Sequence, residues 1–264
     1  MSHHLITLTT DFGTDSPYVA QVKGVLLSQL PNATLVDITH AIPAQDIRQG
    51  AIVADDTCRY FPRGSIHLLV IDPGVGTERG IVVAEIDGSF YVAPNNGLLS
   101  RVARRSPPSA AILVDLSVFD QPSISPTFHA RDVMAPVVVR LAQGETLTTL
   151  GNRVDPLANL DWVEPKVMAN SLEGQILYVD SFGNLVTNIE KCFLNQIQDL
   201  RRVIISCRDQ RITGIQRTYG ESNPQQAIAL VGSHGRVELA VVDGNAAKQW
   251  SAGVGDEVAV NWPK

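Results

Sequence analysis

Blocks of apolar residues recur along this chain with two different periods. Leu5–Thr9 (LITLT) is a short apolar run that ends in the acidic, glycine-containing loop TDFG, and it predicts a first strand. Ser16-Pro17 then opens a helix, the serine capping free amides and the proline suiting the first turn. Val19, Val22, Val25 and Leu26 repeat at helical spacing as far as Leu30, and Pro31-Asn32 stops the run. Thr34–Thr39 reads as a second strand. QDIRQGAIVADDTCRYF reads as a second helix with Ile47, Ala51, Ala54 and Cys58 on one face. SIHLLVID is nearly all apolar, as a strand covered on both sides should be.

Two alternating runs flank Asp87-Gly88, the signature of a hairpin with a primed turn. AAILVDL is a further strand. HARDVMAPVVVRLAQG is a helix ended by Gly144, in which Pro136 fits better near the start than in the middle. The alternation of strand and helix over residues 1–160 predicts an α/β domain with a mostly parallel sheet between helices. VDPLANLDWVEPK has little periodicity, so residues 161–171 read as a linker. Residues 172–264 carry closely spaced strands (GQILYVD, NLVTNI, RRVIIS, QAIALVG, GRVELAVVD, DEVAVNW) and predict a small antiparallel β-barrel domain.

Composition narrows the function classes. The chain has 264 residues, 44% hydrophobic and 18% charged, with 27 acids against 21 bases and a net charge of -6. That balance argues against nucleic acid as the main partner. No run approaches the roughly 20 apolar residues of a membrane span, and the N-terminus has no leader pattern. Cys58, Cys192 and Cys207 match no disulfide frame or zinc pattern and read as reduced thiols of a cytoplasmic protein. GxGxxG, P-loop, GxSxG, CxxC and HExxH motifs are absent.

The candidate chemistry lies at strand ends, where open α/β sheets gather ligands. Asp11 follows the first strand, Asp37 and His40 the second, and Asp72 the third. Asn95 and Asn96 follow the hairpin, and His129 precedes the later helix. Residues 71–79, IDPGVGTER, raise a specific expectation. If the glycines let the loop double back, Arg79 pairs with Asp72, and His129 can join them. Such a group either pins the loop or orients and deprotonates a nucleophile. Asp11 either caps the helix region at Ser16 or accepts hydrogen bonds from a ribose diol. In DSFGNLVTNI, Gly183-Asn184 either forms only a turn or presents Phe182 for stacking and Asn184 for amide hydrogen bonds. Ser233 and Glu238, in GSHGRVELA, pose the same choice.

Six ordered segments carry a resemblance: LTTDFGTDSPYVAQVKG, VDITHAIPAQDI, VIDPGVGTER, APNNGLLS, TFHARD and DSFGNLVTNI. With them the sequence resembles the S-adenosylmethionine hydrolases (hydroxide adenosyltransferases), relatives of fluorinase and chlorinase, from about Leu5 to Asn261. The resemblance implies attack of water on ribose C5′, giving adenosine and methionine. It implies Asp72, Arg79 and His129 as the catalytic, water-handling group. Asp11 would hold the ribose, and Phe182 and Asn184 the adenine. Asn96, Phe128, Asp180, Ser233 and Glu238 would make further substrate contacts. It also implies no metal or other cofactor, and a homotrimer with interfacial sites. Asn95, His234 and Arg236 depart from the usual pattern. Other readings are a halide transferase on the same scaffold, a non-catalytic sensor of adenosine or S-adenosylmethionine, and a metal-dependent hydrolase. The last would use Asp11, Asp37, His40, Asp72 and His129 as ligands.

Overall fold

The computed structural model describes residues 4–119 and 124–263; Met1–His3, the start of the segment read for a leader, lie outside the described residues. The chain divides into two compact units, Met1–Leu160 and Asp161–Lys264. No helix among the described residues is long and apolar enough to cross a membrane.

The first unit runs β1 (Leu5–Thr10), α1 (Tyr18–Gln29), β2 (Thr34–Thr39), α2 (Ile47–Cys58), β3 (Ile66–Val70), β4 (Ile81–Ile86), β5 (Ser89–Pro94), α3 (Ser100–Arg105), β6 (Ala110–Val114), α4 (Ala135–Ala142), α5 (Leu147–Leu150) and β7 (Gly151–Arg153). Its seven-stranded sheet has the order β2-β1-β3-β5-β4-β6-β7. The pairs from β2 to β5 are parallel. Those from β5 to β7 are antiparallel, so the sheet is mixed rather than mostly parallel. The cause is the hairpin at Asp87 (φ 52°) and Gly88 (φ 75°). Its primed turn makes β4 run against β5, which lies parallel to β3, and β6 and β7 then alternate in direction beyond β4. Ile6 and Leu8 of β1 join Val22, Leu26, Met134 and Val137 in one core. Thr7 and Thr9 are buried on the opposite face, so both sides of the strand are covered.

Two helix starts differ from expectation in detail. Pro17 is the residue before α1, and Ser16 Oγ accepts from Tyr18 N–H at 3.2 Å. Before α4 the backbone takes one wide π turn, Ala130–Met134, closed by Ala135 N–H on Ala130 O. This places Pro136 in the first turn of α4, where its missing N–H costs nothing.

The second unit holds β8 (Lys166–Val167), β9 (Ser171–Val179), β10 (Leu185–Glu190), β11 (Ile204–Cys207), β12 (Gln210–Thr213), β13 (Ala227–Val231), β14 (Arg236–Val241), α6 (Ala246–Trp250) and β15 (Glu257–Asn261). They form an eight-stranded antiparallel sheet, order β12-β11-β15-β9-β10-β14-β13, with β8 on β9. A bridge between Gln216 and Leu230 brings the chain after β12 beside β13, so the sheet is a nearly closed barrel. Leu172, Ile176, Leu185, Val237, Leu239 and Val258 fill it. The strand β12 was not anticipated. Its turn, Arg208-Asp209, lacks the glycine that announces a hairpin, although Arg208 adopts φ 51°.

Candidate active site

The strand ends of the first unit converge on a cavity of about 320 Å³, lined by Asp11, Phe12, Gln45, Asp72, Phe128 and His129 among others. Asp72 stands just beyond β3. The loop after it folds back on itself: Val75 N–H donates to Asp72 O at 3.3 Å, and Thr77 N–H to Gly74 O at 3.1 Å. Gly76 has φ 78°, and a Cβ there would lie 2.3 Å from Pro126 O. Only glycine permits both the conformation and the approach. The loop therefore lies against the segment that carries Thr127 to His129.

Arg79 Nε donates to Asp72 Oδ1 at 2.8 Å, and Nη2 donates to Oδ2, a side-on fork. Nη2 also lies 3.1 Å from His129 Nδ1. A guanidinium carries no acceptor, so Nδ1 must accept and the neutral ring holds its proton on Nε2. Burial, then the Arg79 charge, push the His129 pKa below the ordinary histidine value; Asp72 and Asp132 pull the other way more weakly. The Asp72 and Arg79 side chains are only 7% and 11% exposed, so the pair is largely desolvated. Removing one partner would strand a buried charge, a loss of about 3–5 kcal/mol.

Asp11 does not cap the helix at Ser16. Its Oδ2 accepts from Gln45 N–H at 2.8 Å, tying the β1 end to the turn before α2. Phe128 packs edge-on against Phe12 and Tyr18, with centroids 5.9 and 5.1 Å away. Asn96 Nδ2 donates to Ile71 O at 2.9 Å, and its Oδ1 accepts from Leu98 N–H at 3.2 Å, so its amide braces the end of β3. Asn95 Oδ1 accepts from Ala158 N–H at 2.9 Å. Asp37 and His40 lie together but outside the cavity lining, against Lys23 and Thr10. Among the described residues, no group of three or more His, Cys, Asp or Glu is gathered to hold a metal ion.

The second unit has its own cavity, of about 470 Å³, lined by Phe182, Asn184, Tyr219 and residues 241–244. Asp180 Oδ1 accepts from Phe182 N–H (2.9 Å) and Asn184 N–H (2.8 Å), and its Oδ2 from Asn184 Nδ2 (2.9 Å). Asp180 thus clamps the turn whose Gly183 has φ 87°. A Cβ at Gly183 would lie 2.1 Å from Asn245 Cγ, so the turn sits tightly on the start of α6. The clamp buries Asn184 and leaves Phe182 75% exposed, a ring held out with one face available. Glu238 is buried and accepts from the Tyr219 hydroxyl, while His234 Nε2 lies 3.1 Å from its other oxygen. Ser233 is exposed on the turn between β13 and β14.

Gln45, Phe12 and Tyr219 were not singled out from the sequence. Gln45 contributes through its backbone, which no side-chain pattern reports. Tyr219 meets Asn184 Nδ2 at 3.5 Å across 35 positions of chain. Only the closing of the barrel brings those two together.

Comparison with known proteins identifies the family. Family models described as the N-terminal and C-terminal domains of SAM hydroxide adenosyltransferase match residues 6–151 and 174–259. The chain is 36% identical to an (R)-S-adenosyl-L-methionine hydrolase of Thermus thermophilus, over 90% of this chain and 91% of that protein. It is 34% identical to a protein of the same name from Salinispora arenicola, over 97% of each. The crystal structure of an uncharacterized conserved protein from Thermotoga maritima superposes with TM-score 0.90 at 30% identity, covering 97% of this chain and 99% of that one. The chain therefore belongs to the SAM hydroxide adenosyltransferase family.

Proposed function

We propose that this protein hydrolyses S-adenosyl-L-methionine to adenosine and L-methionine. Full-length similarity to named hydrolases supports the reaction, and the joined Asp72, Arg79 and His129 at a cavity is the observation that carries the residue roles. Both relatives are named for the R form of the substrate, and we extend that preference to this chain.

The sulfonium leaves as a neutral thioether, so departure needs no general acid. The difficulty lies in the nucleophile, because bulk water has a pKa of about 15.7. In our reading a water sits between Asp72 and His129 in line with C5′. Its oxygen bonds to C5′ while the C5′–S pair returns to sulfur, and its proton passes to the Asp72 carboxylate. Arg79 fixes that carboxylate and, through Nδ1, the His129 ring, whose Nε2–H remains a donor toward the water. General-base help of this kind is typically worth ~10²–10⁴-fold. Asp11 holds the ribose hydroxyls, which aligns C5′. Phe128 and Asn96 shape or brace the first cavity. Phe182 stacks on adenine, Asn184 reads its edge, and Asp180, Ser233 and Glu238 complete that wall.

The first cavity supplies carboxylates and an imidazole, and the second an aromatic face and an amide. One substrate needs both kinds. The homotrimer that the family resemblance implies would meet that need, with the N-terminal unit of one copy facing the C-terminal unit of a neighbour. Free thiols at Cys58, Cys192 and Cys207 suit a reducing, cytoplasmic setting.

The test is to incubate the purified protein with resolved R and S epimers in ¹⁸O-water. Adenosine labelled at the 5′-hydroxyl, formed faster from the R epimer, is expected. A 5′-chloro product in chloride would overturn water as nucleophile. Ligand recovered intact from both epimers would make the protein a sensor.

A further inference from the structure

A chain of polar contacts outside the cavity lining ends on the loop that carries Asp11. Lys23 Nζ of α1 lies 2.5 Å from Asp37 Oδ2 at the end of β2. His40 Nε2 faces the other oxygen of Asp37 at 3.0 Å. His40 Nδ1 lies 2.9 Å from Thr10 Oγ1, the last residue of β1. That hydroxyl in turn accepts from Phe12 N–H at 3.2 Å, and Gly13 N–H donates to His40 O at 2.8 Å. Thr10 and His40 are both buried.

Phe12 N–H occupies one lone pair of Thr10 Oγ1, and the hydroxyl keeps a hydrogen and a second lone pair with which to meet His40 Nδ1. The other ring nitrogen of His40 faces the Asp37 carboxylate. Burial alone would raise the Asp37 pKa, but Lys23 and His40 outweigh it and hold this carboxylate below its usual range. The buried Thr10 hydroxyl is tied to both Phe12 N–H and His40 Nδ1, whereas His40 Nε2 stands at ion-pair distance from Asp37 without hydrogen-bond geometry, so the Thr10–His40 contact is the one that is costly to interrupt. Gln45 N–H on Asp11 Oδ2 grips the loop from the α2 side, so the Asp11 segment is held at both flanks.

We infer that Thr10 and His40 are positioning residues: with Asp37 and Lys23 they set the Asp11–Gly13 loop at the angle from which the Asp11 carboxylate engages a vicinal diol. The inference rests on the role proposed above for Asp11, and predicts a selective defect. Loosening the chain should weaken ligands that carry the diol and leave the chemical step alone.

The experiment uses the full chain and the variants Thr10→Val, Thr10→Ser and Lys23→Met, each checked for folding by circular dichroism. Calorimetry measures affinity for adenosine and for 2′,3′-dideoxyadenosine, and steady-state kinetics with S-adenosyl-L-methionine gives kcat and KM. Thr10→Val should weaken adenosine and raise KM by about 5- to 100-fold, the range set by leaving one buried polar group unpaired. Binding of the dideoxy compound and kcat should stay at the wild-type level, and Thr10→Ser should restore adenosine binding. Lys23→Met, at the solvent end, should give a smaller loss of the same kind and reads the chain if Thr10→Val does not fold. Unchanged adenosine affinity in a folded Thr10→Val, or equal weakening of both nucleosides, would overturn the inference. A wild-type protein that bound adenosine, lost it in Thr10→Val and yet left S-adenosyl-L-methionine intact would instead sink the hydrolase reading and keep this one.

Discussion

The two cavities are built on opposite physical plans. In the first unit the functional groups are charged, nearly buried and cross-tied: Arg79 serves Asp72 and His129 at once. In the second the prominent group is an apolar ring, Phe182, held out into solvent by a clamp of backbone hydrogen bonds to Asp180. A desolvated ion pair resists motion and holds a reacting atom in line. An exposed ring gains by covering itself with another flat surface. Under the proposed function the first plan carries the chemistry and the second the recognition, a division that can be broken by substitutions that should affect rate and binding unequally.

The largest expected effect is on the first cavity. Asp72→Ala should lower kcat about 10²–10⁴-fold, the range for a lost general base, while adenosine affinity from calorimetry stays near wild type. Full turnover in this variant would remove Asp72 from the mechanism.

A second effect concerns stability of the same unit. His67 is buried beside Thr7 and Tyr91, and burial lowers its pKa to about 4. The unfolded chain, near 6.5, binds the proton more readily. Stability from this group is therefore complete above pH 6.5 and is lost as pH falls toward 4, by about 3 kcal/mol. Urea denaturation across that window should show a shallower loss in His67→Gln; an identical slope would mean that other groups govern it.

Phe182→Ala should weaken adenosine binding by about 1–3 kcal/mol, the worth of one base stacked on an aromatic ring. Its kcat at saturating substrate should change little. A kcat loss as large as that of Asp72→Ala would erase the proposed division of labour.

The smallest effect is on the acid limb of the rate profile. Arg79 requires the neutral form of His129, whose pKa lies below the ordinary value. Activity should decline on the acid side with a midpoint below the ordinary histidine value, and that midpoint should move when Arg79 is replaced by Lys. A midpoint above 6.5 would mean that another group titrates.

Strand and helix positions were legible wherever apolar spacing was regular, as in α1, β3 and β13. The mixed direction of the first sheet was not. Asp87-Gly88 announced a hairpin, but nothing local to it says that β5 inserts beside β3. The loop of Asp72 and Arg79 was legible because its glycines lie between two charges close in sequence. Even so, the approach of Gly76 to Pro126 accompanies a contact between Arg79 and His129 that spans 50 residues of chain. The bracing of Asn96 on Ile71 and the approach of Tyr219 to Asn184 left no local trace either.

By itself the sequence determined the two-part organisation of α/β followed by β, the turns that demand glycine, and the residue types available for chemistry. These follow from local sterics and from the periodicity of burial, both of which act over a few residues. Tertiary structure alone decided which nitrogen of His129 carries the proton, which flank holds Asp11, and how the first sheet changes direction. Those depend on contacts between distant segments, where hydrogen-bond direction and packing are set by whichever neighbour the fold delivers.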